Sequence, residues 1–388
     1  MRFALVALCA LSLVGTAHAQ KQTPVKLSGT PDAAVVTGAN SLADQVRGAQ
    51  FPHIVRRDPA RARQFLWLAA THPEPEVVAA ALDGMGRTFA RRKHKERPTV
   101  DENYRKVVRA RLGSKAGVVQ MNALRAARLI IGDEKVDAAT LGKMTEMAEK
   151  GSTTARIAAI RALGNVRDFQ IAKARPGDAK AKVVRAILPA LAASDATLQA
   201  VAADRLGRSA YPDLPERAKV LEAAKPLLPH PNPAVRATAL MLAARVAKPA
   251  EAASLTAPVM AALADADPFV RAAAAEAAAT LKLTAAAHAL VGLLDDAGKA
   301  MAELRPKGLD GKKDRIVLRP ETSTRVDEVA LYALESLSAG LPAAARHKVK
   351  PLSGRDRDAR RGKAVEAAKA WYAAHKSALP PAPAAAAQ

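Results

Sequence analysis

Apolar residues recur along this chain in one register, seen most cleanly from Ser254 to Lys282, SLTAPVMAALADADPFVRAAAAEAAATLK. In its second half Val270, Ala274, Ala277, Ala278 and Leu281 fall at i, i+4, i+7, i+8 and i+11, which lays one apolar stripe along a helix. Leu255, Val259 and Leu263 do the same in the first half. Between the halves, Asp265, Asp267 and Pro268 stop one helix and start the next. Asp267 is placed to cap orphan amides, and Pro268 sits where its missing N–H costs nothing. A hairpin this small cannot bury its own apolar face and must stack on copies of itself.

The copies are present. Aligning apolar positions at +4, +8 and +11 gives six more second helices, anchored at Val77, Val119, Ala155, Leu198, Val235 and Val326. Successive anchors, with Val270 in its place, lie 42, 36, 43, 37, 35 and 56 residues apart, about 41 on average. A generic alanine-rich bundle has no reason to keep one register seven times.

The segments DPFVRAAAAEAAATL and NPAVRATALMLAARV share Asp or Asn, Pro, Val, Arg and a run of alanines. They resemble HEAT repeats, and the chain is similar to exported bacterial proteins of that family. Pro258 lies inside a first helix, as in many HEAT first helices, whereas Pro189 and Pro226 sit about a turn closer to their second helices. The Val-Arg pair is clear at Val235–Arg236 and Val270–Arg271; at the other five anchors Arg is displaced or absent. The resemblance covers roughly Pro59 to Gly340. It implies an all-α fold, a right-handed alpha-solenoid of about seven two-helix repeats with two basic insertions and a C-terminal capping helix. It says little about chemistry.

The expected organisation follows. Residues 1–19, MRFALVALCALSLVGTAHA, read as a secretory signal: Arg2, a short apolar core from Phe3 to Gly15, and the small-x-small site Ala17-His18-Ala19. Residues 20–57 read as a polar linker and N-terminal cap, with Ser41 opening a short helix to Arg47. Residues 58–340 carry the repeats, where Phe65, Leu66 and Leu68 beside Trp67 suit an apolar end layer. Insertions interrupt them near 88–103 and 297–323. Residues 341–376 are a basic segment and a capping helix whose apolar positions are Val365, Ala368, Trp371 and Tyr372, and 377–388 a low-complexity tail.

Composition narrows the function. The chain has 388 residues, a formal charge of +23 and only 3% aromatics. An exported protein this basic is expected to meet anionic material. Cys9 is the only cysteine and falls in the signal, so the mature chain would have no disulfide and no thiol chemistry. No apolar run is long enough for a transmembrane helix. From Arg87 to Arg111 ten Lys or Arg face three acids, and Arg91, Arg92, Lys93, Lys95 and Arg97 are the candidate anion- or partner-binding residues there. The second insertion contributes Lys307, Lys312, Lys313, Arg315 and Arg319, with Ile316-Val317-Leu318 suited to a short strand or a packed plug. Insertions in solenoids map to one face, often the binding face, which makes this the leading functional candidate.

Catalytic patterns are not found. None of the seven histidines outside the signal lies three or four residues from another, as a helical metal site needs. His72 and His230 both precede Pro in repeat turns and read as caps. There is no Gly-x-Ser-x-Gly elbow, phosphate loop or dinucleotide fingerprint. Asp265 with Asp267, and Asp295 with Asp296, fall at helix ends. The structural repeat positions are Val235, Arg236, Pro258, Asp267, Pro268, Val270 and Arg271.

The expectation is therefore a monomeric, exported protein, periplasmic or secreted, without cofactor or metal and not an enzyme. It would bind a protein partner through the solenoid surface and its basic insertions. Direct binding of anionic envelope polymer or lipid is the alternative. Nucleic acid is disfavoured by export and by too few aromatics for base stacking. A lyase activity is suggested only by resemblance to phycobilisome-lyase HEAT proteins, and fold does not carry activity.

Overall fold

The computed structural model describes residues 21–29, 32–47, 59–90, 102–130, 138–166, 178–208, 216–306, 315–337 and 354–380. The expected signal, the core of the first basic insertion, the tip of the second, much of the basic segment from 341 and the last eight residues lie outside them. The chain divides into two compact units, residues 1–147 with 165–174, and residues 148–164 with 175–388.

Among the described residues there are sixteen α-helices, fourteen of which alternate along the sequence as first and second helices. The second helices are α3 (Pro75–Ala90), α5 (Gly117–Ile130), α7 (Thr153–Val166), α9 (Ala196–Arg208), α11 (Pro233–Val246), α13 (Pro268–Leu281) and α15 (Val326–Leu337). Each register anchor opens its helix, and all seven are buried, none more than 4% exposed. The first helices are α2 (Pro59–Thr71), α4 (Glu102–Leu112), α6 (Ala138–Lys150), α8 (Asp178–Ile187), α10 (Arg217–Ala224), α12 (Ala252–Ala262) and α14 (Ala287–Gly292). The all-α repeat architecture expected from the register is present. Pro189 and Pro226 have a visible effect, since α8 and α10 finish as tighter 3-10 turns, Leu188–Ala192 and Lys225–Leu227. Pro258 stays inside α12.

In the first unit the N-terminal segment departs from the linker reading. Helix α1 (Ala33–Arg47) begins well before Ser41, because Asp32 Oδ1 accepts from Ala34 N and supplies the cap. It buries Ala39, Leu42 and Ala43 and packs on α2. Phe65, Leu66 and Leu68 are buried as expected, but α1 covers their helix, so α2 is not the end layer. Residues 21–28 run along the end of α2. Gln22 N donates to Pro73 O, Val25 N to Ala70 O, and Ser28 and Asn103 exchange two hydrogen bonds. The buried Arg111 ties this segment down by donating to Ala69 O, Ala70 O and Thr23 O. Carbonyls at a helix C-terminus suit a cation, while burial pushes the guanidinium pKa down. Beside it lies a cleft of about 440 Å³ lined by Lys21, Gln22, Arg111, Ser114 and Lys115 among others.

In the second unit α9, α11, α13 and α15 pack one on the next. Alanine makes this possible: Ala237, Ala239, Ala243, Ala244 and Ala272 to Ala275 are all buried. At Gly207 on α9, an added Cβ would lie 3.3 Å from the Leu242 backbone on α11, so the helices approach closely there. Caps fix each turn. Asp267 accepts from Phe269 N and Val270 N, and Asn232 from Ala234 N. Asp265 accepts from Asp267 N, and the rings of His72 and His230 accept the same way from Glu74 N and Asn232 N.

The residue after the anchor repeats a second bond. Gln120 donates to Leu112 O, Arg156 to Ala148 O, Gln199 to Leu191 O, Arg236 to His230 O and Arg271 to Asp265 O. Arg236 also grips Asp265 at 2.9 and 3.0 Å, and Arg271 grips Asp296 at 2.6 and 2.7 Å, joining neighbouring repeats. The pattern of Arg at two anchors only is thus corrected: Arg156 follows its anchor directly, and glutamine replaces Arg at two more. An amide or a guanidinium at this position reaches carbonyls at the end of the first helix or in the turn that follows it.

The C-terminal helix α16 (Gly354–His375) docks on the last repeat. Its buried positions are Ala364 and Ala368, whereas Val365, Trp371 and Tyr372 are only half-buried, which corrects the expected stripe. Polar contacts hold it instead: Lys369 to Asp295 at 2.6 Å, and Tyr372 hydroxyl to His288 Nδ1 at 2.8 Å.

Two outcomes test this packing. Gly84 on α3 has the Phe65 ring 2.7 Å from where a Cβ would sit. Because that ring is buried, Gly84→Ala is expected to cost about 1–3 kcal/mol in denaturant unfolding. Separately, Glu251 accepts from Arg217 at 2.6 Å and from Lys248 N at 2.6 Å, and the Arg217 hydrogen bond in particular lowers its pKa from 4.5 to about 2. A depressed carboxylate pKa stabilises above its unfolded value, and that contribution disappears as pH falls through the folded value. Between pH 4.5 and about 2 the melting temperature of the native chain should therefore fall more steeply than that of Glu251→Gln.

Candidate interaction surface

The described parts of the second insertion, residues 297–306 and 315–323, include a pair of strands. Strands β1 (Ala302–Leu304) and β2 (Ile316–Leu318) pair antiparallel, with Ala302 opposite Leu318 and Leu304 opposite Ile316. Ile316 and Leu318 are buried, so the segment is a strand and not an exposed loop. Ala300 N donates to Thr324 O and closes the base of the insertion.

The proposed basic residues are only partly placed by the structure. Arg91, Arg92, Lys93, Lys95, Arg97, Lys307, Lys312 and Lys313 lie outside the described residues. Arg315 is half-exposed and pairs with Glu303 at 3.3 Å. The bond from Arg305, reinforced by Arg315, holds the Glu303 carboxyl below its ordinary range. The Arg319 side chain is exposed, and what engages the helices is its backbone carbonyl. Of the repeat positions, Val235 and Val270 are core, Arg236 and Arg271 join the turns, and Asp267, Pro268 and Pro258 shape helix ends.

After β2 the chain runs as Arg319-Pro320-Glu321-Thr322-Ser323 across the row of second helices. Arg208 of α9 donates to the Arg319 carbonyl at 2.8 Å while pairing with Asp204 at 2.8 Å. Arg245 of α11 pairs with the Glu321 carboxylate at 3.0 Å and with Glu276 of α13 at 2.5 Å. The other Glu276 oxygen accepts from Glu321 N at 2.8 Å. Ser323 donates to Glu328 of α15. One short segment thus bonds to side chains of four successive second helices.

The electrostatics keep this row charged. Burial acts to lower the Arg208 pKa, but Asp204 and the more distant Glu321 and Glu276 outweigh it and leave it raised. The Glu276 side chain is only 7% exposed and is satisfied on both oxygens. A carboxylate so placed is stable only while paired.

The sequence reading passed over Asp204, Arg208, Arg245, Glu276 and Glu321. A signal was there. Glu276 is the single charge between Ala272 and Ala279, and Arg245 stands alone in LMLAARV. One charge on an otherwise apolar helix face calls for a partner, but not for a particular one.

Residues 221–303, from α10 through β1, match the family model for HEAT repeats. No curated protein matches the chain. Among solved structures, the crystal structure of an engineered protein from the Northeast Structural Genomics Consortium is similar at 15% identity and a TM-score of 0.37, covering 88% of this chain and 97% of its own. Among the described residues no cluster of three or more His, Cys, Asp or Glu is arranged to hold a metal ion, and no helix is long and apolar enough to cross a membrane.

Removing the carboxylate tests the network. Glu276→Ala leaves Arg245 without its better-buried partner and frees the Glu321 amide. About 3 kcal/mol of stability should be lost. Hydrogen exchange at residues 319–323 should accelerate more than exchange within α11.

Proposed function

We propose that this chain is an exported, non-enzymatic scaffold that holds a protein partner on its repeat surface. The observation that carries the reading is the repeat architecture itself. HEAT repeats generally mediate protein–protein interaction, and here an inserted segment is bonded across four successive second helices. The signal-like amino end, with its small-x-small site Ala17-His18-Ala19, supports export to the periplasm or beyond. The lyase-type activity known among HEAT proteins finds no motif in this sequence.

A second reading, direct binding of anionic polymer or lipid, is favoured by the charge of +23 and by the cleft where Lys21, Arg111 and Lys115 meet with no acid among its lining residues. One experiment separates the two. The mature chain, and a form lacking Leu304 to Thr322, are used as bait on envelope extracts, followed by a salt gradient. A scaffold retains a defined protein at moderate salt, and the deletion changes how much of it is retained. Retention of lipid or polymer that falls steeply with salt and ignores the deletion supports the anionic reading. No retained protein at any salt removes the scaffold.

A further inference from the structure

We propose that the surface of α9, α11 and α13 is a docking track for an extended peptide bearing an acidic side chain, and that residues 319–323 occupy it as a built-in placeholder. This rests on the protein-binding reading above and names the chemistry of the partner.

The track presents three different contacts in order. Arg208 offers a donor that takes a backbone carbonyl, from Arg319. Glu276 offers an acceptor that takes a backbone N–H, from Glu321. Arg245 offers a cation that takes a carboxylate, from the same Glu321. Two of the three contacts are with main chain, so they are available to any extended peptide. The third demands an acid on the residue that also donates its N–H, two positions after the carbonyl. That is how peptide recognition divides affinity from specificity.

The placeholder is lightly seated. The Glu321 side chain is 54% exposed, so its pair with Arg245 is a weak surface bond. Thr322 Oγ1 is buried with no hydrogen-bond partner. The helices beneath are different: Arg245 and Glu276 are 16% and 7% exposed and would be left half-satisfied if the strap lifted. A competing peptide restores those bonds, whereas water reaches them poorly. The exchange then costs little, and the hairpin stays anchored through Ile316 and Leu318, both buried.

The test uses the full chain and a labelled peptide with the sequence of residues 315–325, end-blocked. Its net positive charge opposes non-specific attraction to so basic a protein. Fluorescence anisotropy is read for the native chain, for Glu321→Ala, and for Glu321→Ala combined with Arg245→Gln. Circular dichroism checks that each is folded. Weak binding to the native chain, about two- to fivefold tighter binding to Glu321→Ala, and loss with Arg245→Gln are expected. A peptide with Gln in place of the Glu should bind about two- to fivefold more weakly, and a scrambled peptide should not bind. Equal binding to the native chain and Glu321→Ala, or indifference to the Gln replacement, overturns the proposal. Should Glu321→Ala not fold, hydrogen exchange on the native chain decides: excess peptide must accelerate exchange at the Glu321 amide, and unchanged exchange overturns the idea. Capture of a defined protein by a chain that ignores the peptide would sink the track alone and leave the scaffold standing.

Discussion

Close approach of the second helices is the constraint on which the second unit depends. Alanine and Gly207 let the backbones of α9 and α11 come near enough that a Cβ at position 207 would press on the Leu242 main chain. Each alanine buried in this way contributes little, about 0.8 kcal/mol for a methyl-sized group, so stability comes from many small contacts repeated in register. A larger side chain on the facing surfaces would push the stack apart. Packing by such uniform surfaces does not by itself choose a register. The polar bonds one residue after five of the anchors do, because Gln120, Arg156, Gln199, Arg236 and Arg271 each reach a carbonyl six or eight residues back. Where Arg fills that position before an aspartate turn, the same side chain also ties one repeat to the next.

The same thinness explains why isolated charges matter. An alanine surface has no bulk with which to shield Arg245 or Glu276, so each takes the other as partner, and the chain after β2 supplies what remains. Order in the insertion follows from this as much as from its own two short strands. Six strand residues alone would be a marginal hairpin. Pinned by Ile316 and Leu318 on one side and by Arg208, Arg245 and Glu276 on the other, it becomes part of the repeat stack. The first unit uses a related device, where Arg111 fastens residues 21–25 to the end of α2 through three carbonyls.

Legibility in the sequence followed the range of the interaction. All seven anchors were visible as a periodic apolar stripe and all seven are buried, because a helix's buried face is written in its own spacing. The cap at Asp267 and the capping roles of His72 and His230 depend on neighbours within three residues and were equally readable. Residues 21–28 were misread as linker, since their hydrogen-bond partners lie some forty to ninety positions away. The stripe on α16 was misjudged for a related reason: Trp371 and Tyr372 look like anchors by type, yet the approach to the last repeat admits only Ala364 and Ala368.

By itself the sequence determined the repeat, its period, its turns and the alanine character of its core, all consequences of local periodicity and of residue size. It also set the charge balance that draws attention to anionic and acidic partners. Only the tertiary structure decided which charges meet. Nothing in the spacing of Arg208, Arg245, Glu276 and Glu321 places them together, because they come from three helices and an insertion separated by 37, 31 and 45 positions. They converge because the helices stack at close range and the hairpin is long enough to return across them, and both are properties of the assembled unit rather than of any one segment.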